Sequence, residues 1–493
     1  MQNEDLNKKT ISKNFIYNLI NQLISLIIPI ITSPYIARVL REEGNGQYSF
    51  SLSIITFFIL FSSMGFDLYG QKQIAYVNSK EEKSKVFWEI TLVKTAFTIV
   101  SLAVLYSLLF SIGFGEKYNT LILILSLQVV AVPFDVQFLF RGEENFKIIA
   151  IRTIIIRLSI LVSIFIFVKN ENDTGIYALC VSLATLIPNI LLSISALRRM
   201  GLPKIKELSF KRHMKPAFII FVPTLAITIN SAFDKTMIGF LAKNADYENG
   251  CYEHAYRLNS VMTFVTTILT AVLISRNSNE YSKNGVEGIR KNLYFSANYV
   301  WLIGLPLMVG NFVLAKNLCS WYLGDGYEIV PELTWIMSIR FIASGMTEVF
   351  GSQLFIVIGK EKYSMIAALT AAAINVALNF IMIPFLGAYG AAIATAVSEV
   401  VITLVLMFYV VRGKYLSIKK IAVLSWKYII ASAVMFVPIY FLNKAFDYSI
   451  WSFILVMVTG MVTYFITLLL LRDQFVRYRL VDLKLMLTRR KSD

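Results

Sequence analysis

Long apolar runs recur along the whole chain, separated by short loops rich in Lys and Arg, and this pattern leaves few folds open. The stretch 380-FIMIPFLGAYGAAIATAVSEVVITLVLMFYVV-411 is representative. A helix needs about 20 mostly apolar residues to cross the hydrocarbon of a bilayer, where no water satisfies an exposed backbone. The chain divides into about 14 such runs with little left over. They lie roughly at 14–37, 47–66, 86–111, 120–140, 148–168, 175–197, 216–241, 252–275, 292–315, 331–358, 364–384, 388–411, 421–442 and 449–471. No soluble domain of ordinary size fits between them. The expected fold is an all-α integral membrane protein.

Charge agrees with this reading. Only 16% of residues are charged, against about 25% in soluble domains, and the mean hydropathy is +0.64. The net charge of +16 does not call for nucleic acid, because basic loops hold a cytoplasmic face against anionic lipid. With the N-terminus in the cytoplasm, the cytoplasmic segments hold 33 Lys and Arg and the outer loops hold 7. The rest, Lys94, Arg152, Arg157, Lys235, Arg257, Arg340 and Lys427, lie within spans. Both termini are therefore expected in the cytoplasm of a multi-pass plasma-membrane protein. The start, MQNEDLNKKTISKN, is polar, and the first run carries internal Asn and Gln, as in a retained span rather than a signal peptide.

Several chemistries are disfavoured. Cys180, Cys251 and Cys319 are scattered, unlike a disulfide framework or a zinc site. His213 and His254 are the only histidines, too few for a His-rich metal site, and a Ser-His-Asp arrangement is not expected. No outer loop exceeds about 15 residues, which argues against a membrane polymerase or glycosyltransferase. The longest internal cytoplasmic connection, 198-RRMGLPKIKELSFKRHMK-215, divides the chain into six and eight spans. The expected organisation is an N-lobe (1–197), a basic linker (198–215), a C-lobe (216–471) and a basic tail (472–493).

Spans one and seven resemble each other. In 28-IPIITSPYIARVLREEGNGQYSF-50 and 222-VPTLAITINSAFDKTMIGFLAKNADYENGCYEHAY-256, a proline is followed by polar residues, a basic residue (Arg38, Lys235) and an acidic loop closing in G-x-Y (Gly46–Tyr48, Gly250–Tyr252). Repeated halves around a central site are a recurring transporter plan. Asn14, Asn18, Asn21, Gln22 and Ser25 share one face of span one, and Thr224, Thr228 and Ser231 mark span seven. Such faces line a wet cavity or bind helices together. Pro29 and Pro223 each remove a backbone donor and are expected to bend their helices.

Charges at membrane depth cost roughly 2.5–3.5 kcal/mol or more each and point to function. Arg152 shares a face with Ser159 and Ser163, and Arg157 lies deeper. Arg340, Ser344 and Glu348 form an i, i+4, i+8 stripe. Lys94 is deep in span three, Glu253 precedes Arg257 by four, and Asp234 and Lys235 are adjacent and so diverge by about 100°. Asn375 and Asn379 read as packing contacts. The acids within spans are Asp135, Asp234, Glu348 and Glu399. The excess of bases suits an anionic ligand, above all a phosphate or pyrophosphate held by guanidinium forks.

The stretches 34-PYIARVLREEGNGQYSFS-51, 139-LFRGEENFKIIAIRTIIIRLSILVSIFIFV-168, 234-DKTMIGFL-241 with 250-GCYEHAYRL-258, and 374-INVALNFIMIPFLGAYGAAIATAVSE-399 resemble the Wzx-type polysaccharide flippases of the multidrug/oligosaccharidyl-lipid/polysaccharide exporter superfamily. The resemblance implies two lobes in a V with alternating access. It implies a cationic lumen for the head group of an undecaprenyl-pyrophosphate-linked oligosaccharide, with a polysaccharide polymerase and chain-length machinery downstream. The product would feed capsule, exopolysaccharide or O-antigen assembly. By motif position Arg38, Arg152, Arg157, Asp234, Lys235 and Arg257 are carried over, and charge at depth adds Lys94, Arg340 and Glu348 as substrate-binding candidates. No cofactor is implied beyond a coupling ion, Na+ or H+. One departure is Leu40-Arg41-Glu42-Glu43, where the family often reads L-G-P-E. A peptidoglycan lipid-II-type flippase and a cation-coupled drug antiporter share the plan and stay open as alternatives.

Overall fold

The computed structural model describes residues 2–476 other than 112, 202–207, 229–231 and 474, with side chains at all of these except 2–26, 223, 226, 227, 271, 272 and 424. The polar side chains of span one, and Pro223 and Ser231, thus lie outside what is described. The elements are helices α1 (Gln2–Ser63), α2 (Phe66–Tyr76), α3 (Lys80–Ser111), α4 (Glu116–Leu125), α5 (Leu127–Val130), α6 (Gln137–Gly142), α7 (Phe146–Phe167), α8 (Thr174–Met200), α9 (Lys211–Thr228), α10 (Asp234–Leu241), α11 (Ala245–Thr267), α12 (Leu269–Tyr322), α13 (Val330–Met337) and α14 (Arg340–Thr347). A π-helix (Glu348–Ile356) follows, then α15 (Glu361–Leu386), α16 (Ala388–Arg412), α17 (Ile418–Ala445) and α18 (Ile450–Leu470). Among the described residues there is no strand, and nine helices are long and apolar enough to cross a membrane.

Two of those nine, Ile27–Tyr76 and Leu273–Tyr322, run for 50 residues each, more than twice the length that spans a bilayer. The expected loop 38–46 is therefore nearly absent. Helix α1 passes through it with one non-helical residue, Arg41, at φ 54 and ψ −175. Gly285, at φ 61, plays the same part in α12, where glycine takes the left-handed backbone without a Cβ clash. The stretch 67–85, read as a loop because it is polar, begins instead with helix α2, whose Phe66, Tyr69 and Ile74 are buried. Spans four and ten are broken into α4–α5–α6 and α13–α14–π, and span seven is described as α9 and α10. Pro133 stands in the turn before α6, where a missing N–H does least harm.

The chain forms two compact units, residues 1–253 with Ile383–Gly387, and residues 254–382 with 388–493. The first is built on two apolar clusters. One gathers Ile55, Leu105, Ile122, Leu125, Val129 and Val168; the other gathers Phe66, Phe87, Ile90, Val136, Leu139 and Phe140. The second unit has one cluster around Ile289, Leu293, Phe350, Leu354, Phe355 and Val410 and one around Tyr428, Ala431, Val456 and Leu468. Helix α18 illustrates how lipid and core divide a helix. Ser452, Val456, Gly460, Tyr464 and Leu468 are buried at every fourth position, while Trp451 and Leu470 are each 77% exposed. Gly460 lets Ile439 of α17 approach, the small-residue device of packing between membrane helices. Ser449 caps the helix start through a reciprocal bond with Ser452.

Candidate functional site

Among the described residues, spans four, seven, eight and ten supply none of the nine long apolar helices. They carry most of the charged candidates. A helix interruption frees backbone groups and bends the path of the chain, which is how membrane transporters place polar groups at depth.

In the first unit, Lys94 of α3 is wholly buried. Its ammonium donates to Asp67 Oδ1 at 2.7 Å and to the backbone oxygen of Asp135 at 2.8 Å, and it lies 5.7 Å from the Phe138 ring centre. Asp135 stands in the turn between α5 and α6, and its carboxylate accepts from the Gln137 side-chain amide at 2.9 and 3.0 Å. Arg152 of α7 reaches the same carboxylate at 3.8 Å and donates to Asn189 Oδ1 of α8. The Arg152 side chain is 10% exposed, and its Nε has no hydrogen-bond partner among the described residues. Lys94 and Arg152, 58 positions apart in sequence, thus belong to one network joined by Asp135. Asp67 was missed as Lys94's partner because it was read as part of a loop.

Asp234 and Lys235 diverge as adjacent helical residues must. Asp234 is buried and accepts from Tyr252 Oη at 2.5 Å, while Lys235 pairs with Glu253. Glu253 also accepts from Ser49 Oγ at 3.4 Å. The two G-x-Y turns meet. A Cβ on Gly46 would sit 1.7 Å from the Asp246 backbone oxygen, and one on Gly250 would sit 2.0 Å from that of Glu42. The contact is reciprocal, since Gly46 and Gly250 each follow by four the residue that the other touches. Asp246 secures the crossing by accepting from Gln47 at 3.1 Å, Lys117 at 2.5 Å and Tyr118 at 2.5 Å. Arg38 is exposed three residues before the Arg41 break, and Arg157 is half-buried in α7.

A further cluster lies at the expected cytoplasmic side. Glu89 of α3 is wholly buried and accepts from the Ser209 backbone N–H at 2.6 Å and from Arg212 at 2.5 Å. His213 Nε2 lies 2.6 Å from the same carboxylate, and its Nδ1 lies 2.8 Å from Tyr69 Oη. Burial holds the His213 imidazole below its ordinary range, against the pull of Glu89. Ser84 and Trp88 of the same helix donate to the backbone oxygens of Met200 and Gly201 at 2.8 and 2.9 Å. Both ends of the basic connection are therefore fastened to the first turns of α3. His213 had been noted only as one of two histidines, and no local pattern marks its partners.

In the second unit, Arg340 opens α14, is 7% exposed and packs over the Tyr256 ring at 4.7 Å. Its Nε donates to Glu399 Oε1 of α16 at 3.3 Å, and Ser344 donates to Glu399 Oε2 at 2.9 Å. The expected stripe therefore ends after two members. Glu348 begins the π-helix that follows and is half-buried there. Arg257 is half-buried in α11. Asn375 and Asn379 are buried and hydrogen-bonded to each other at 3.2 Å. No group of three or more metal-ligating side chains is found among the described residues.

A protein-family model described as "Polysaccharide biosynthesis protein" matches residues 11–278. The chain is 24% identical over 416 residues to an Escherichia coli (strain K12) protein named "Putative O-antigen transporter", covering 83% of this chain and 99% of that one. It is 24% identical over 226 residues to "Probable low-salt glycan biosynthesis flippase Agl15" of Haloferax volcanii, covering 44% of this chain and 47% of the other. A solved structure, "Lipid II flippase MurJ, inward closed conformation", superposes with a TM-score of 0.72 over 93% of this chain and 98% of its own, at 18% identity. The last match shows a shared fold.

Proposed function

This chain belongs to the polysaccharide biosynthesis protein family, and from that premise we propose that it is a flippase for undecaprenyl-pyrophosphate-linked oligosaccharide in a bacterial cytoplasmic membrane. The observation that carries the proposal is the near-complete alignment with the O-antigen transporter relative, 99% of whose length is covered. The fold supports it, because the charged candidates sit on the helices of an all-helical chain rather than in a soluble domain. Arg38, Arg152 and Arg157 of the first unit and Arg257 of the second are the guanidinium candidates for the head group, Arg152 offering a buried Nε to a phosphate oxygen. Lys94, Asp234 and Lys235 of the first unit and Arg340 and Glu348 of the second are the further charged candidates of this reading. The lipid tail stays in the bilayer while the two lobes, 1–197 and 216–471, alternate access across 14 spans. A coupling ion drives the cycle, and a polymerase with its chain-length partner takes the product.

The test is deletion of the gene followed by lipid analysis of each leaflet. Undecaprenyl-linked oligosaccharide accumulating on the cytoplasmic side, with loss of surface polysaccharide, is the expected result. Normal surface polysaccharide with new sensitivity to cationic drugs would replace the proposal with the antiporter reading. Accumulated peptidoglycan precursor would replace it with the lipid-II reading.

A further inference from the structure

A cleft of about 620 Å³ lies in the first unit, on the expected outer face, and none of the substrate-binding candidates lines it. Three stretches of chain build it: the α1 break at Arg41, the start of α4, and the turn that enters α8. Asp173 shapes that last turn, its carboxylate accepting from the backbone N–H groups of Lys169 and Asn170 at 2.8 Å each. Helices α1 and α8 meet closely at the floor, since a Cβ on Gly44 would stand 2.8 Å from Thr174 Oγ1. Leu40 and Leu121 are buried there.

The walls are hydrophilic and mixed in hydrogen-bonding sense. As ions, Glu42, Glu43 and Glu171 only accept, Arg41 and Lys117 only donate, and Asn172 does both. Arg41 pairs with Glu171 at 3.3 Å and Lys117 with Asp246 at 2.5 Å, which leaves Glu42 and Glu43 without an ion pair among the described residues. Small-molecule pockets of about 300–1,000 Å³ are mostly lined by apolar and aromatic side chains. Among the described residues no aromatic ring lines this one. An acyl chain, or the aromatic anchor of a partner protein, has nothing to bury against here. A phosphate would meet two unpaired carboxylates. A metal ion is disfavoured, because no group of three or more metal-ligating side chains is found among the described residues. A sugar fits, because each hydroxyl both donates and accepts, and so serves a carboxylate and a guanidinium at once.

Arg41 is the strained member of the cleft. Its φ of 54 and ψ of −175 lie in a backbone region that a Cβ makes costly and that glycine enters freely. Helix α1 continues on either side, so glycine would serve the path of the chain as well. The ion pair with Glu171 is exposed and offsets little of the strain. We propose that this cleft is a glycan subsite, which takes uncharged, hydroxyl-rich sugars of the oligosaccharide as the head group leaves at the outer face, with Arg41 kept for its guanidinium. Gln47 and Lys117 of the cleft also hold Asp246, so the subsite adjoins the crossing of the two G-x-Y turns. Its part in export rests on the flippase reading; that the cleft binds sugar does not.

Saturation-transfer NMR on the purified full-length protein reads the site directly. The probe is an oligosaccharide cut by mild acid from the surface polysaccharide of the same cells. Its ring protons should receive saturation from the wild type. The signal should fall about fivefold or more when Glu43→Ala and Asn172→Ala are combined, which removes two hydrogen-bonding side chains; both residues are exposed, so the core is undisturbed. Glu116→Ala, exposed on the same face but outside the cleft, should leave the signal intact. Arg41→Gly separates binding from architecture: its melting temperature should hold or rise as the strain is relieved, while the sugar signal falls. No transfer in the wild type, or a signal unchanged in the double variant and in Arg41→Gly, overturns the subsite. A lower melting temperature in Arg41→Gly overturns the part given to Arg41, which then serves the fold. A deletion strain with normal surface polysaccharide sinks the flippase reading alone, since the NMR result still decides the subsite.

Discussion

Replacing Gly46 by Ala tests the crossing of the two G-x-Y turns. The added Cβ would stand 1.7 Å from the Asp246 backbone oxygen, where ordinary contact begins at 3.4 Å. The obstacle is backbone, not a movable side chain, so the turns must part by about 1.7 Å. Overpacking of this kind costs about 1–3 kcal/mol, which shifts the balance away from the closed crossing by roughly 5- to 150-fold. Cys251 reports the opening, because it is wholly buried beside Gly250. With Cys180 and Cys319 replaced by Ser, a membrane-impermeant maleimide added to whole cells should label Cys251 slowly in the parent and at least about fivefold faster in Gly46→Ala. Gly250→Ala should do the same, since its Cβ would meet Glu42 at 2.0 Å. Unchanged labelling in both variants, at normal membrane levels, would refute the idea that this approach holds the turns shut.

Three further outcomes are expected. Asp67→Asn should lower the melting temperature, because it strips the counter-ion from a wholly buried ammonium; the cost is about 1–3 kcal/mol, and adding Lys94→Met should recover part of it in the same thermal assay. Because burial depresses the His213 pKa, neutral His213 favours the folded form above the ordinary histidine range and that stability is lost as pH falls through the depressed value; His213→Gln should flatten the acid limb of a plot of melting temperature against pH. Arg157→Ala and Arg257→Ala should abolish surface polysaccharide while leaving the protein in the membrane, and Arg→Lys at either position should restore only part, because an ammonium cannot form the planar fork.

The long helices were legible because an unbroken apolar run has one stable solution in lipid. The expected runs 148–168, 388–411 and 449–471 differ by no more than two residues at either end from Phe146–Phe167, Ala388–Arg412 and Ile450–Leu470. The breaks within spans four and ten were not legible, because apolar composition is the same on either side of a turn. Partner choice was hidden for a different reason. Lys94 finds Asp67 across 27 positions and His213 finds Glu89 across 124, and neither separation leaves a local pattern. The near approach of Gly46 and Gly250 was half visible. The repeat was readable, but the meeting of its two copies is a property of the folded chain.

The interrupted helices also bear on how the chain is made. Spans four, seven, eight and ten supply none of the nine helices apolar enough to cross a membrane. Asp234, Lys235, Glu253, Arg257, Arg340 and Glu348 all fall within three of them. A helix leaving the ribosome with such charges faces a penalty of roughly 2.5–3.5 kcal/mol for each one near mid-bilayer. Some of its partners emerge only with later helices. Arg340 waits 59 residues for Glu399. During synthesis these segments must rest at the membrane surface or inside the insertion machinery until their partners emerge, so the polypeptide enters the bilayer in groups of helices rather than one at a time.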